Sequence, residues 1–120
     1  MSSTTLFEQI GSEFIQKAIT EFYRRAPLDG IIGHFFFEKD IEHITAMQID
    51  FATAMLGGPR TYHGKPLATA HAGLAIRPPH FGRRQVLMRE VLDEFGLAPN
   101  LRDAWLAAEE ALRPIILRQR

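Results

Sequence analysis

The sequence predicts an all-α fold, and three observations carry that expectation. Apolar residues recur three and four apart over several long stretches, the spacing of one helix face. Capping residues, glycines and prolines bracket those stretches where helices should start and stop. No segment alternates apolar and polar residues at period two, so no β-sheet is expected. At 120 residues the chain suits a single domain, 1–120, with one hydrophobic core.

The first expected helix is short, Leu6 to Ile10, and Gly11 closes it. Ser12 is placed to cap a second helix, whose stripe runs through Phe14, Ile15, Ala18, Ile19, Phe22 and Tyr23 until Pro27 and Gly30 end it. Residues 31–37 read as a short apolar link carrying Phe35-Phe36-Phe37. Asp40 suits the cap of a third helix, with Glu42 well placed in its first turn. Ile41, Ile44, Gln48, Phe51, Ala52 and Met55 share one face of it, and Gly57-Gly58-Pro59 stops it.

A loop through Tyr62, His63, Gly64 and Pro66 leads into residues 67–76, a mostly apolar segment with His71 in its middle. Pro78-Pro79 imposes an extended entry and then suits the first turn of another helix. That helix turns Phe81, Arg84, Met88, Val91, Leu92 and Phe95 inward and ends at Gly96. Asn100 is placed to cap the last helix, which buries Leu101, Ala104, Trp105, Ala108, Leu112 and Ile115. Pro114 is expected to bend it from within.

Composition excludes several classes. Apolar residues are 46% and charged residues 23%, ordinary for a globular protein. Lys plus Arg equals Asp plus Glu at 14 each, so no charge excess points to nucleic acid or an anionic membrane. With no cysteine, disulfides, thiolate zinc sites and iron–sulfur clusters drop out. No apolar run reaches the ~18 residues of a membrane span, and the polar start is no signal peptide. A soluble, cytoplasmic protein is expected.

The informative residues are those that interrupt the apolar stripes. Tyr23 closes one stripe, and Gln48 sits between Ile44 and Phe51 in another; each needs a hydrogen-bond partner if buried. Either they satisfy each other or a backbone carbonyl, or they face a ligand. His71 is likewise either a buried, hydrogen-bonded imidazole or a metal ligand. Together they would put an imidazole, a phenol and a carboxamide around one apolar pocket. Neutral imidazole ligates haem iron, and donors on the opposite side stabilise a polar ligand bound there. His34, His43, His63 and His80 form neither an HExxH motif nor a carboxylate-rich pair, so solvated or capping roles are expected for them.

The order and spacing of short segments then identify a resemblance. They are Leu6-Phe7-Glu8-Gln9-Ile10-Gly11, Phe22-Tyr23, His34-Phe35-Phe36, Gln48-Ile49-Asp50-Phe51 and Leu56-Gly57-Gly58-Pro59. Tyr62-His63-Gly64, Ala70-His71-Ala72-Gly73-Leu74-Ala75-Ile76, His80-Phe81 and Leu112-Arg113-Pro114 follow. From about Leu6 to Ile116 the chain resembles the truncated haemoglobins, and among them group I. The resemblance implies a two-over-two helical sandwich around haem b, with His71 as proximal iron ligand and Tyr23 and Gln48 as distal hydrogen-bonding pair. Phe36 matches a haem-packing phenylalanine; Phe22, Ile44, Met47, Phe51, Leu67, Ile76, Phe81 and Met88 match other pocket positions.

The chain departs from the family's pattern in places. The first of two diglycine hinges appears as Gly11-Ser12. Ile44 stands where larger globins carry a distal histidine, and Met47 where some members carry a distal ligand, so five-coordinate ferrous iron is expected. Ala52 replaces a bulky residue along an apolar tunnel, implying a more open gas path. Arg84 stands where an apolar or aromatic residue usually faces the haem. It is expected to snorkel to the edge, to pair with a haem propionate, or to point outward on a rotated helix.

The resemblance implies reversible binding of O2, NO or CO, in a carrier, a sensor or an oxygen-dependent nitric oxide dioxygenase. For the last, Tyr23 and Gln48 take the catalytic role, and an external reductase is needed because the chain holds no flavin or nicotinamide motif. A monomer or weak homo-oligomer is expected. The competing expectation is a haem-free globin-like module acting through protein contacts.

Overall fold

The computed structural model describes residues 4–59 and 75–117, and every regular element among them is helical. Helix α1, Leu6–Ile10, starts with a capping box: the Glu8 N–H donates to Thr5 Oγ1 at 3.0 Å and the Thr5 N–H to Glu8 Oε1 at 2.9 Å. Helix α2, Ser12–Arg25, begins one residue earlier than expected. Gly11, not Ser12, occupies the cap, with φ at 94° and no side-chain acceptor. That region is open to glycine at little cost, so a separate serine cap is unnecessary. The expected stripe of α2 is buried: Ile15, Ala18, Ile19, Phe22 and Tyr23.

Two 3-10 turns follow: Ala26–Leu28, where Pro27 was expected to end α2, and Gly33–Phe36, within the expected apolar link. Asp29 organises them by accepting from the Ile31 and Ile32 N–H groups at 2.9 and 3.2 Å. Helix α3, Ile41–Met55, is capped as expected by Asp40, whose Oδ1 accepts from the His43 N–H at 3.1 Å. It ends at Gly57, where φ is 98°.

Helix α4, Pro78–Glu94, follows an extended Arg77 with φ −112° and ψ 164°, as the proline pair requires. Arg83 on this helix reaches back to Asp29 at 2.8 Å, tying the turns to α4. Helix α5, Pro99–Glu110, is capped at Ala98 and puts Pro99 at its first position, so Asn100 lies inside it. The last helix is not bent but broken. Residues 111 and 112 form a turn, and α6, Arg113–Leu117, restarts with Pro114 in its first turn, where a missing N–H leaves no gap. The restart rotates the face, so Ile116 is buried and Ile115 is 38% exposed. Phe95, expected inward, is 40% exposed and meets Phe14 edge-on.

Helix α2 packs on α3 and α4, and α4 packs on α5, which gives a two-over-two sandwich. Trp105, Phe22, Ile15, Ile19, Val91 and Leu92 fill its centre. No helix among the described residues is long and apolar enough to cross a membrane.

Candidate functional site

A cleft of about 470 Å³ opens beside this core. Its walls are Phe22 and Tyr23 from α2, Ile32, Phe35 and Phe36 from the second 3-10 turn and the residue before it, and Ile44 and Gln48 from α3. Ile76, His80, Phe81, Arg84 and Ile116 complete it, with Lys39 and His43 also lining it. The volume lies in the range of small-molecule and cofactor sites, and so does the composition: aromatic and aliphatic walls with few polar groups. Lys39 and His43 are exposed, which puts cationic or protonatable groups at the solvent edge of an apolar slot. A flat apolar macrocycle bearing carboxylates fits that arrangement.

Tyr23 is 6% exposed. Its ring is clamped edge-on by Phe22 at 4.8 Å and Phe36 at 5.8 Å. Burial pushes the phenol above its usual range, while the charge of Arg84 works against that and Glu109 adds to it. It is therefore a neutral O–H donor. Gln48 is half-buried, and its carboxamide has no hydrogen-bond partner among the described residues, Tyr23 included. The two polar side chains do not satisfy each other; both line the cleft.

They also line an adjoining cavity of about 50 Å³. Phe51 and Ala52 from α3 and Ile19 from α2 form part of its wall. That space exceeds what one water requires. The small side chain of Ala52, 4% exposed, borders it.

Arg84 is where expectation and structure part. Its guanidinium turns inward and meets Glu109 Oε1 at 2.7 Å, and it lies 5.0 Å from the Phe22 ring centroid. Glu109 Oε2 accepts from the Trp105 indole N–H at 2.9 Å. Burial works against the charged guanidinium, but the Glu109 carboxylate, helped by Tyr23, raises its pKa above the ordinary value. The helix is not rotated outward, and Glu109 supplies a protein countercharge. A buried charge needs a close partner, and α5 supplies one. The signal for it was in the sequence: Glu109 follows Trp105 by four residues, so a carboxylate shares the most apolar face of that helix.

Other expected pocket residues fall in different places. Met88 is fully buried in the core cluster, and Met47 is half-buried on α3; neither lines the cleft. Leu67 and His71 lie outside the described residues, as does His63. His80 takes the capping role expected of it, its Nδ1 accepting the Arg77 N–H at 3.0 Å. Lining residues not anticipated are Ile32, Phe35, Lys39, His43, His80 and Ile116, which come together through the 3-10 turns and the restarted last helix.

The sequence profile of the family described as bacterial-like globin matches residues 5–117. A group 1 truncated hemoglobin of Tetrahymena pyriformis is 36% identical over 94 residues, covering 78% of each chain. One from Mycolicibacterium paratuberculosis is 28% identical over 113 residues, covering 93% of this chain and 83% of that protein. The crystal structure of the Fe(III) form of the Tetrahymena pyriformis truncated hemoglobin superposes with a TM-score of 0.91 at 30% identity, covering 95% of this chain and 98% of that one. The truncated oxygen-avid haemoglobin of Bacillus subtilis superposes with a TM-score of 0.82 at 26% identity, covering 94% and 99%.

Proposed function

The chain belongs to the bacterial-like globin family as a group 1 truncated haemoglobin, and from that premise we propose that it holds O2 against Tyr23 and Gln48 and uses it to oxidise nitric oxide to nitrate. Haem is the cofactor of this family, and gas binding is its general chemistry. When bound, haem supplies the iron coordination position at which a diatomic gas sits. His71 would ligate the iron, the apolar lining of the cleft would hold haem b, and Lys39 and His43 would offer partners to its carboxylates.

The observation that carries this reading is the pair of polar groups, a phenol and a carboxamide, that border the cleft from α2 and α3. The Tyr23 phenol is neutral and the Gln48 carboxamide is without a partner among the described residues, and both border the cleft. Donors fixed in an apolar site stabilise negative charge on a ligand far better than water-exposed donors do. They therefore slow loss of O2. Ala52 and the cavity beside it provide room for a second small molecule next to the same donors. The overall reaction consumes one NO, one O2 and one electron and yields nitrate, so an external reductase must deliver the electron. The protein acts in the cytoplasm, as a monomer or weak homo-oligomer. Membership in a haem-binding family disfavours the haem-free alternative.

Spectra of the ferric, ferrous and CO-loaded protein test the first step. A Soret band near ~400 nm is expected, and its loss in His71→Ala. A preparation that stays colourless with added haemin would sink the reading. Stopped-flow mixing of the O2-loaded protein with NO tests the second: nitrate formed over many turnovers with a reductant supports it. A single stoichiometric conversion indicates a carrier or sensor instead.

A further inference from the structure

Arg84 is fixed from behind. Glu109 is 4% exposed, and its two oxygens are both engaged, one by the guanidinium at 2.7 Å and the other by the buried Trp105 indole at 2.9 Å. Swinging the carboxylate away would break both bonds, so Glu109 holds the guanidinium in place. The guanidinium also donates to Gln85 Oε1 at 3.2 Å, and the Tyr23 phenol is among its hydrogen-bond partners. Arg84 and Tyr23 border both the cleft and the adjoining cavity, and the guanidinium carbon stands 5.0 Å from the Phe22 ring that lies edge-on to Tyr23.

The chemistry of that approach is directional. A guanidinium carries donors only, whereas a phenol oxygen both accepts and donates. An encounter between them uses a lone pair of Tyr23 and leaves its O–H hydrogen for some other acceptor. Gln48 does not take it, and the open space beside the phenol is the cleft and the small cavity that adjoins it.

We propose that Arg84 is a positioning residue which, anchored by Glu109 and Trp105, occupies the Tyr23 oxygen from the protein side and directs the phenol hydrogen into the cleft. The proposal rests on the reading of Tyr23 as donor to the haem ligand. It also sets a preference: a ligand with an electronegative outer atom, such as O2 or fluoride, gains over uncharged, weakly polar CO. A phenol whose lone pair faces a cation is the stronger donor.

Two readouts test it, neither of them turnover: the infrared C–O stretching band of the CO-loaded ferrous protein, and fluoride titration of the ferric protein. Arg84→Met combined with Glu109→Gln removes both charges together, and the new amide keeps an acceptor for Trp105. The band is expected to move to higher frequency and broaden, and the fluoride Kd to rise about tenfold. Arg84→Lys restores most of both. Trp105→Phe, which frees Glu109 without removing charge, broadens the band alone.

In a Tyr23→Phe background the paired charge removal should change neither readout, since its effect passes through the phenol. If Tyr23→Phe shifts both readouts while the paired variant matches wild type, Arg84 has no positioning role and the role of Tyr23 stands. Tyr23→Phe without effect overturns both readings. Fully additive shifts show Arg84 acting on the ligand directly, which also overturns the proposal.

Discussion

Glu109 and Tyr23 show how much depends on single side chains. Glu109→Leu removes the countercharge of the partly buried Arg84 guanidinium, and urea unfolding should show a loss of about 2 kcal/mol once solvent screening is allowed for. Arg84→Met with Glu109→Leu should lose much less, because the desolvation penalty leaves together with the attraction. Equal losses would mean that the pair is not coupled. Tyr23 bears on ligand retention. Burial holds its phenol above the usual range, so it stays protonated around neutral pH. The O2 dissociation rate is therefore expected to be flat between pH ~6 and ~9, and Tyr23→Phe to raise it about tenfold at every pH. A rate that climbs through pH 8 would show the donor titrating. Of these residues, Tyr23 and Gln48 were legible as polar breaks in apolar stripes. Glu109 obeyed the same rule, but its partner lies on another helix, which periodicity within one element cannot reveal.

At the scale of elements, the glycines after α3 set how α1 meets it. A Cβ on Gly58 would stand 2.7 Å from Phe7 Cδ1 and 2.8 Å from Thr53 Cγ2, so those side chains or the helices that carry them must shift. Gly58→Ala should cost about 1–3 kcal/mol in chemical denaturation and lower haem affinity with it. Unchanged stability would show that Phe7 swings aside freely.

The far end of α2 is tied by charge instead. Arg24 and Arg25 both donate to Glu21, and Arg25 also reaches Glu94 on α4 at 2.7 Å. Hydrogen bonds from Arg24 and then Arg25 lower the Glu21 pKa from 4.5 to about 2. A depressed carboxylate stabilises the fold above its unfolded pKa, and that stabilisation fades as pH falls from about 4.5 toward 2. Because Arg24 is 64% exposed, solvent screening reduces the effect, and Glu21→Gln should lose about 0.5–1 kcal/mol at pH 7. The two proteins should converge only below pH 2, once Glu21 is protonated in both states. A difference that persists there belongs to packing.

For the whole molecule, the cleft is the dominant feature. A core that leaves about 470 Å³ beside Phe22 and Phe81 is incomplete as a packed interior. Filling it with haem adds contacts to helices α2, α3 and α4 at once and draws the equilibrium toward the folded state. With haemin at a hundredfold excess over its Kd, the apoprotein should gain about 10 °C or more in Tm, and scanning calorimetry with and without haemin checks this. Gains confined to a degree or two would mean that the cleft closes without a ligand.

Helical class, the buried stripe of α2, the Asp40 cap and the glycine stops were decided locally. Spacing along one helix and the backbone preferences of a few residues suffice for them. The Gly11 cap of α2, the break before Pro114 and the outward turn of Phe95 and Ile115 were not, since several caps and helix phases were locally acceptable and packing selected one. The cleft and its polar wall belong to tertiary structure altogether. Tyr23, Gln48, Arg84 and Glu109 come from four helices, and a guanidinium enters an apolar interior only when folding brings a carboxylate from another helix to meet it. The sequence alone determined which residues are chemically able to serve; the packing of α2 and α3 against α4 and α5 decided which of them meet.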